Sequence, residues 1–154
     1  MSTASTAPAA PPVNGQVVGL AHYASRAVLE RVLARSGITF QQSLALNGVA
    51  NAAGSVAADE LTGALAHALK TDASEVRGSV DGLVAAGLLE TLPGEPVRVR
   101  FTEAGDALRR EIGTAGAEIA ARLYADIPAE DLAAAGRVLR LVTERANAEL
   151  AARN

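Results

Sequence analysis

Two histidines, His22 and His67, and no cysteine limit the chemistry open to this 154-residue sequence. Disulfides, thiolate metal sites and cysteine nucleophiles are excluded. The histidines stand 45 positions apart with no carboxylates clustered around them, so no metal-ligand spacing is recognisable. No serine sits in a strand–turn–helix elbow beside a base, and the scattered glycines form no phosphate loop. No metal, cofactor or catalytic residue is expected. What remains is recognition. His22 and Arg26 lie four apart on one helical face with Tyr23 beside them. A His–Arg pair can hold an anionic or phenolic ligand through charge-assisted hydrogen bonds. Gln41, Asn47 and Asn51 stand out on the next stretch, the last two again four apart.

A second set of residues is cationic. Between Val56 and Phe101 the bases are Lys70, Arg77, Arg98 and Arg100, with Ser74 and Ser79 flanking Arg77. Against these four stand seven acids: Asp59, Glu60, Asp72, Glu75, Asp81, Glu90 and Glu95. The whole chain carries a formal charge of -3. A surface that binds polyanions draws much of its affinity from cations, so this balance speaks against an ordinary phosphate-binding face.

The elements that must position these groups are mostly helices. Nearly half the residues are hydrophobic and only 3% aromatic, the composition of closely packed Ala/Leu-rich helices. Residues 1–14 are read as a disordered tail, since Met1 to Pro12 are uncharged Ser, Thr, Ala and Pro. They lack the basic start and apolar run of a secretory signal. No stretch nears the roughly 18 apolar residues that span a bilayer, so no membrane partner is expected and the localisation is read as cytoplasmic.

From about Gln16 to Ser36, Val17, Leu20, Ala24, Val28 and Val32 recur at helical spacing. Thr39 opens a second helix, Phe40 to Ala53, and together residues 15–54 form an N-terminal helical part. Ser55 to Ala58 reads as a connector. Asp59 starts a helix bearing Leu61, Leu65 and Leu69; Asp72 or Ser74 caps another bearing Val76, Val80, Leu83 and Val84. Two short helices across a tight turn make a helix-turn-helix. The period then drops to two. Leu88 to Leu92, the turn Pro93-Gly94-Glu95-Pro96, and Val97 to Phe101 make a hairpin whose valines and Phe101 face inward and whose Arg98 and Arg100 face solvent. Residues 55–101 are thus a winged helix-turn-helix. Thr102 caps a long helix with Leu108, Ile112, Ile119 and Leu123, and Ala129 to Ala152 form the last, so residues 102–154 complete a mainly α fold with a minor β part.

This order resembles the MarR family. Leu83-Val84-Ala85-Ala86-Gly87-Leu88-Leu89-Glu90 is similar to its junction between recognition helix and wing, where glycine eases the turn. Val97-Arg98-Val99-Arg100-Phe101-Thr102-Glu103-Ala104-Gly105 is similar to its return strand and helix start, and Ile127 to Leu132 to the break before its final helix. The wing departs from the family: it is short, and Glu95 stands where an arginine segment is usual.

The resemblance implies a ligand-responsive, DNA-binding transcriptional regulator, a repressor, acting as a homodimer through helical extensions at both ends. Leu20, Val28 and Val32 near one end and Leu132, Leu139, Val142 and Leu150 near the other supply the apolar faces; a monomer whose terminal helices pack on each other is the alternative. Double-stranded DNA would meet Lys70, Ser74, Arg77, Ser79, Arg98 and Arg100. A small aromatic or anionic ligand would meet His22, Tyr23, Arg26, Asn47 and Asn51 in a crevice beside the first, second and fifth helices. The acidic balance leaves a second reading open, in which the dimer and pocket persist without DNA and serve ligand binding or catalysis.

Overall fold

Asn14 begins the first regular element. Its side-chain oxygen accepts a hydrogen bond from the Val17 N–H at 3.0 Å and caps α1 (Gly15–Arg35), satisfying one of the donors a helix start leaves free. The computed structural model describes residues 9–153. Of the expected 14-residue tail, residues 1–8 therefore lie outside the described residues, and Asn14 belongs to the helix start instead. A capping box opens α2 (Phe40–Asn51): Thr39 Oγ1 accepts from the Gln42 N–H at 3.1 Å, and Gln42 Oε1 accepts from the Thr39 N–H at 3.0 Å.

The connector expected at Ser55 is a strand, β1 (Ser55–Ala57). It pairs antiparallel with β3 (Arg98–Phe101), Val56 opposite Val99, while β2 (Leu89–Leu92) pairs with the other side of β3. A lone hairpin would leave one edge of β3 unpaired, and β1 covers it. Three residues are too few to show a period, which is why the sequence reads as a loop. Val97 precedes β3 and is exposed, contrary to its expected inward place; its carbonyl accepts from the Ala58 N–H at 2.9 Å.

Between the strands lie α3 (Ala58–Leu69) and α4 (Ala73–Ala85). The start of α3 is Ala58, with Asp59 and Glu60 in the first turn, where the helix dipole favours acids. Val76, Val80 and Leu83 of α4 are buried together with Leu46, Val49, Leu61, Leu89 and Val99. Each such side chain contributes about 1.5–3 kcal/mol when fully buried. The core-facing side of α1 lies on residues that the helical spacing alone does not single out. Leu33 is buried and Leu29 packs against the core, whereas Leu20 is 64% exposed. Apolar residues ring α1 on several sides, so its spacing fits more than one stripe, and packing on α2 decides.

Thr102 binds two neighbours ahead of α5 (Glu103–Leu123). Its hydroxyl donates to the Gly87 carbonyl at 2.6 Å and accepts from the Gly105 N–H at 3.0 Å. Gly87 has φ +73°, the left-handed turn that glycine adopts without strain. Leu108 and Ile112 face the core.

The chain divides into two compact units, one through Ala117 and one from Glu118. The second contains the end of α5 and α6 (Ala129–Ala151), none of whose residues is buried. Among the described residues, no helix is long and apolar enough to cross a membrane.

Candidate functional site

The turn Lys70-Thr71-Asp72 joins α3 to α4. Lys70 takes the left-handed conformation (φ 54°), and its Nζ donates to the His67 carbonyl at 2.8 Å. This places its charge at the C-terminus of α3, where the helix dipole favours a cation. The Thr71 hydroxyl donates to the Glu75 carboxylate, and Asp72 occupies the cap position of α4 without a side-chain bond. Ser74 and Arg77 lie exposed on the outer side of α4, with Asp81 four residues beyond Arg77. Asp81 is the residue this surface adds, and its spacing from Arg77 was the available signal.

Ser79 does not join them. It is half-buried against α2, where its hydroxyl donates to Gln41 Oε1 at 2.7 Å and its carbonyl accepts from Gln42 Nε2 at 3.5 Å. The α4 face that meets α2 therefore holds Ser79 away from the outer stripe.

Every cation of the winged segment already has a partner in the chain. Arg77 lies 3.8 Å from Asp59, with side chains 56% and 94% exposed. Arg100 lies 2.6 Å from Glu90, the residue directly opposite it across the β2–β3 ladder. Arg98 reaches across to β1, donating to Ser55 Oγ at 3.1 Å and to the Ser55 carbonyl at 3.0 Å. Exposed ion pairs contribute about 0–1 kcal/mol, so these arrangements are easily exchanged for other partners. The hairpin tip, Pro93 to Pro96, is exposed and carries only Glu95.

A cleft of about 470 Å³ lies where the second half of α1 meets α2 and α4. Arg26, Glu30, Phe40, Gln41 and Ser79 supply its chemistry, and Leu33 and Ile38 its apolar wall. The guanidinium of Arg26 sits 4.5 Å above the Phe40 ring and binds Glu30 at 2.8 Å. The volume suits a small aromatic compound. Of the five residues expected to meet a ligand, only Arg26 lines this cleft. His22 stands at its margin, its ring 6.4 Å from Phe40 and 5.5 Å from Tyr23, while Asn47 and Asn51 are exposed on α2 outside it. The sequence does not single out Glu30 or Phe40 for a ligand and assigns Ser79 to the DNA face: Glu30 is legible by its spacing from Arg26, but Ser79 reaches the cleft from a distant element.

No family model matches this sequence, and no curated protein matches it. Solved structures do. A cysteine-to-serine mutant of MarR from E. coli, complexed with operator DNA, superposes with a TM-score of 0.70 over 83% of this chain and 91% of that one, at 22% identity. The fold is that of the MarR regulators. A MarR-family regulator from Rhodococcus sp. RHA1 agrees at TM-score 0.70 and 18% identity, covering 83% of this chain and 90% of its own. BpsR of Bordetella bronchiseptica, whose DNA binding is regulated by 6-hydroxynicotinic acid, agrees at TM-score 0.70 and 21% identity, covering 86% and 98%. In terms of that fold α3 and α4 are the helix-turn-helix and β2–β3 the wing.

Proposed function

We propose that this chain is a homodimeric transcriptional repressor that binds double-stranded DNA and responds to a small anionic aromatic ligand in the cytoplasm. The observation that carries the reading is the outer stripe of α4, with Ser74 and Arg77 exposed beside Lys70 on a MarR fold. In this reading α4 enters the major groove, and Arg98 and Arg100 of the wing take phosphates. The operator complex of the E. coli neighbour supports it. Pairing of two chains is supported by the exposed Leu132, Val138, Leu139, Leu141, Val142 and Leu150 on α6 and by exposed Val18 and Leu20 on α1. Two-fold pairing presents two recognition helices to successive turns of a duplex.

The ligand reading rests on the cleft. A carboxylate would replace Glu30 on Arg26, and the ring would lie on the apolar wall. Ser79 brings α4 to the same cleft, so a ligand there touches the recognition helix. It shifts the DNA-binding form only if it prefers one placement of α4 over another. In this reading Ser79 belongs with the ligand set, and His22 stands beside the cleft at Phe40.

One observation favours a second reading: all four cations of the winged segment have internal partners. On that reading the chain keeps the cleft and has lost DNA. Selection of duplexes from a random library, with light scattering on the same sample, separates the two. The regulator reading expects an enriched two-fold symmetric sequence bound by a dimer, with log affinity falling against log salt by about 0.9 per phosphate neutralised. Failure to enrich any sequence at low salt, with an aromatic acid still bound in calorimetry, would sink it in favour of the second.

A further inference from the structure

We infer that Asp59 and Glu90 are built-in competitors of DNA phosphate, each occupying an arginine of the reading surface that the duplex must first free. The inference rests on the DNA-binding reading and concerns what sets its strength. Arg77 is the one arginine on α4, and its carboxylate partner Asp59 comes from the first turn of α3. Arg100 is on the wing, and Glu90 faces it in the same register position of the neighbouring strand. A carboxylate and a phosphate present the same kind of oxygen to a guanidinium, so each acid holds a contact that a phosphate could otherwise take.

The two pairs differ in grip. Direct cross-strand opposition fixes Glu90 near Arg100 and gives a 2.6 Å contact. Asp59 sits 3.8 Å from Arg77 with its side chain 94% exposed, a looser hold. Both arginines remain about half exposed, so neither is locked away. The effect is a lowered and tuned affinity, achieved without deleting a single cation.

The probe is a labelled duplex of mixed sequence, because phosphate attraction is independent of sequence, read by anisotropy at two salt concentrations. Glu90→Gln is expected to tighten binding about twofold to fivefold and to steepen the salt slope by about 0.9. Asp59→Asn gives a smaller gain in the same direction. In an Arg100→Ala background the Glu90→Gln gain disappears, which isolates the pair from the loss of a negative charge alone. The inference is overturned if wild type binds but Glu90→Gln changes neither affinity nor slope, or if its gain survives in Arg100→Ala. A chain carrying both Glu90→Gln and Asp59→Asn that still binds no duplex at low salt would overturn this inference and the DNA reading together.

Discussion

Residues 55–101 and residues 129–151 treat their apolar side chains in opposite ways. In the winged segment Val56, Leu61, Val76, Leu83, Leu89 and Val99 are all buried by the chain itself. On α6 every large apolar side chain is exposed. Since burying one such group contributes about 1.5–3 kcal/mol, six of them on one helix leave a large driving force unrealised. The first region is finished by its own contacts, and α6 is not.

The contrast can be tested from its strongest point downward. Gly105→Ala should abolish the fold of the winged unit. A Cβ there would stand 1.7 Å from the Leu88 carbonyl oxygen, and backbone on both sides leaves no side chain to move aside, so a loss above about 4 kcal/mol is expected. Circular dichroism melting checks it; an unshifted midpoint would mean that Gly105 and Leu88 do not meet. Next, one truncation made in each region should behave differently. Leu83→Ala should cost about 2–5 kcal/mol at any protein concentration. Leu139→Ala should instead weaken association, so that its melting midpoint depends more steeply on concentration than that of wild type. Urea and thermal unfolding at two concentrations measure both, and identical concentration-independent losses would erase the contrast.

A smaller effect is expected at the seam between α2 and α4. Gln41→Ala removes the acceptor of the Ser79 hydroxyl and should cost about 1 kcal/mol, with ligand affinity reduced in calorimetry. An unchanged ligand affinity would take Gln41 out of the cleft's working surface. The smallest effect concerns Asp106. A hydrogen bond from Arg110 at 2.5 Å holds its carboxyl below the ordinary 3.8; partial burial opposes this, and Arg109 adds to it. A lowered folded-state pKa means stabilisation that is present above 3.8 and lost as pH falls through the folded value. Below pH 3.8 the melting midpoint of wild type should therefore fall slightly more steeply than that of Asp106→Asn. Parallel curves would show that the pair contributes nothing.

What the sequence makes legible follows from how local each signal is. The stripe Val76, Val80 and Leu83, the hairpin with Val99 inside and Arg100 outside, and the Thr102 start of α5 are each written in one short stretch of chain, and the structure has them all. β1 needs β3, more than 40 residues away, to pair with, as the Val56–Val99 register shows. The inward side of α1 is chosen by α2 among several apolar stripes. The cleft assembles from three helices, so Arg26 could be found by its chemistry but Ser79 could not be placed there. The charge imbalance was visible as a count. Which acid holds which arginine became visible only with Asp59 and Glu90 set beside their partners.

The joint at Gly105 has a mechanical consequence. Thr102 is tied to the Gly87 carbonyl by its hydroxyl and to the Leu88 carbonyl by its amide, and Gly105 rests against Leu88. The first turn of α5 and the end of α4 are thus clamped at several points and must pivot as one piece. A force that displaces the first turn of α5 is therefore passed at once to the Gly87–Leu88 turn and the root of the hairpin, with no slack between them.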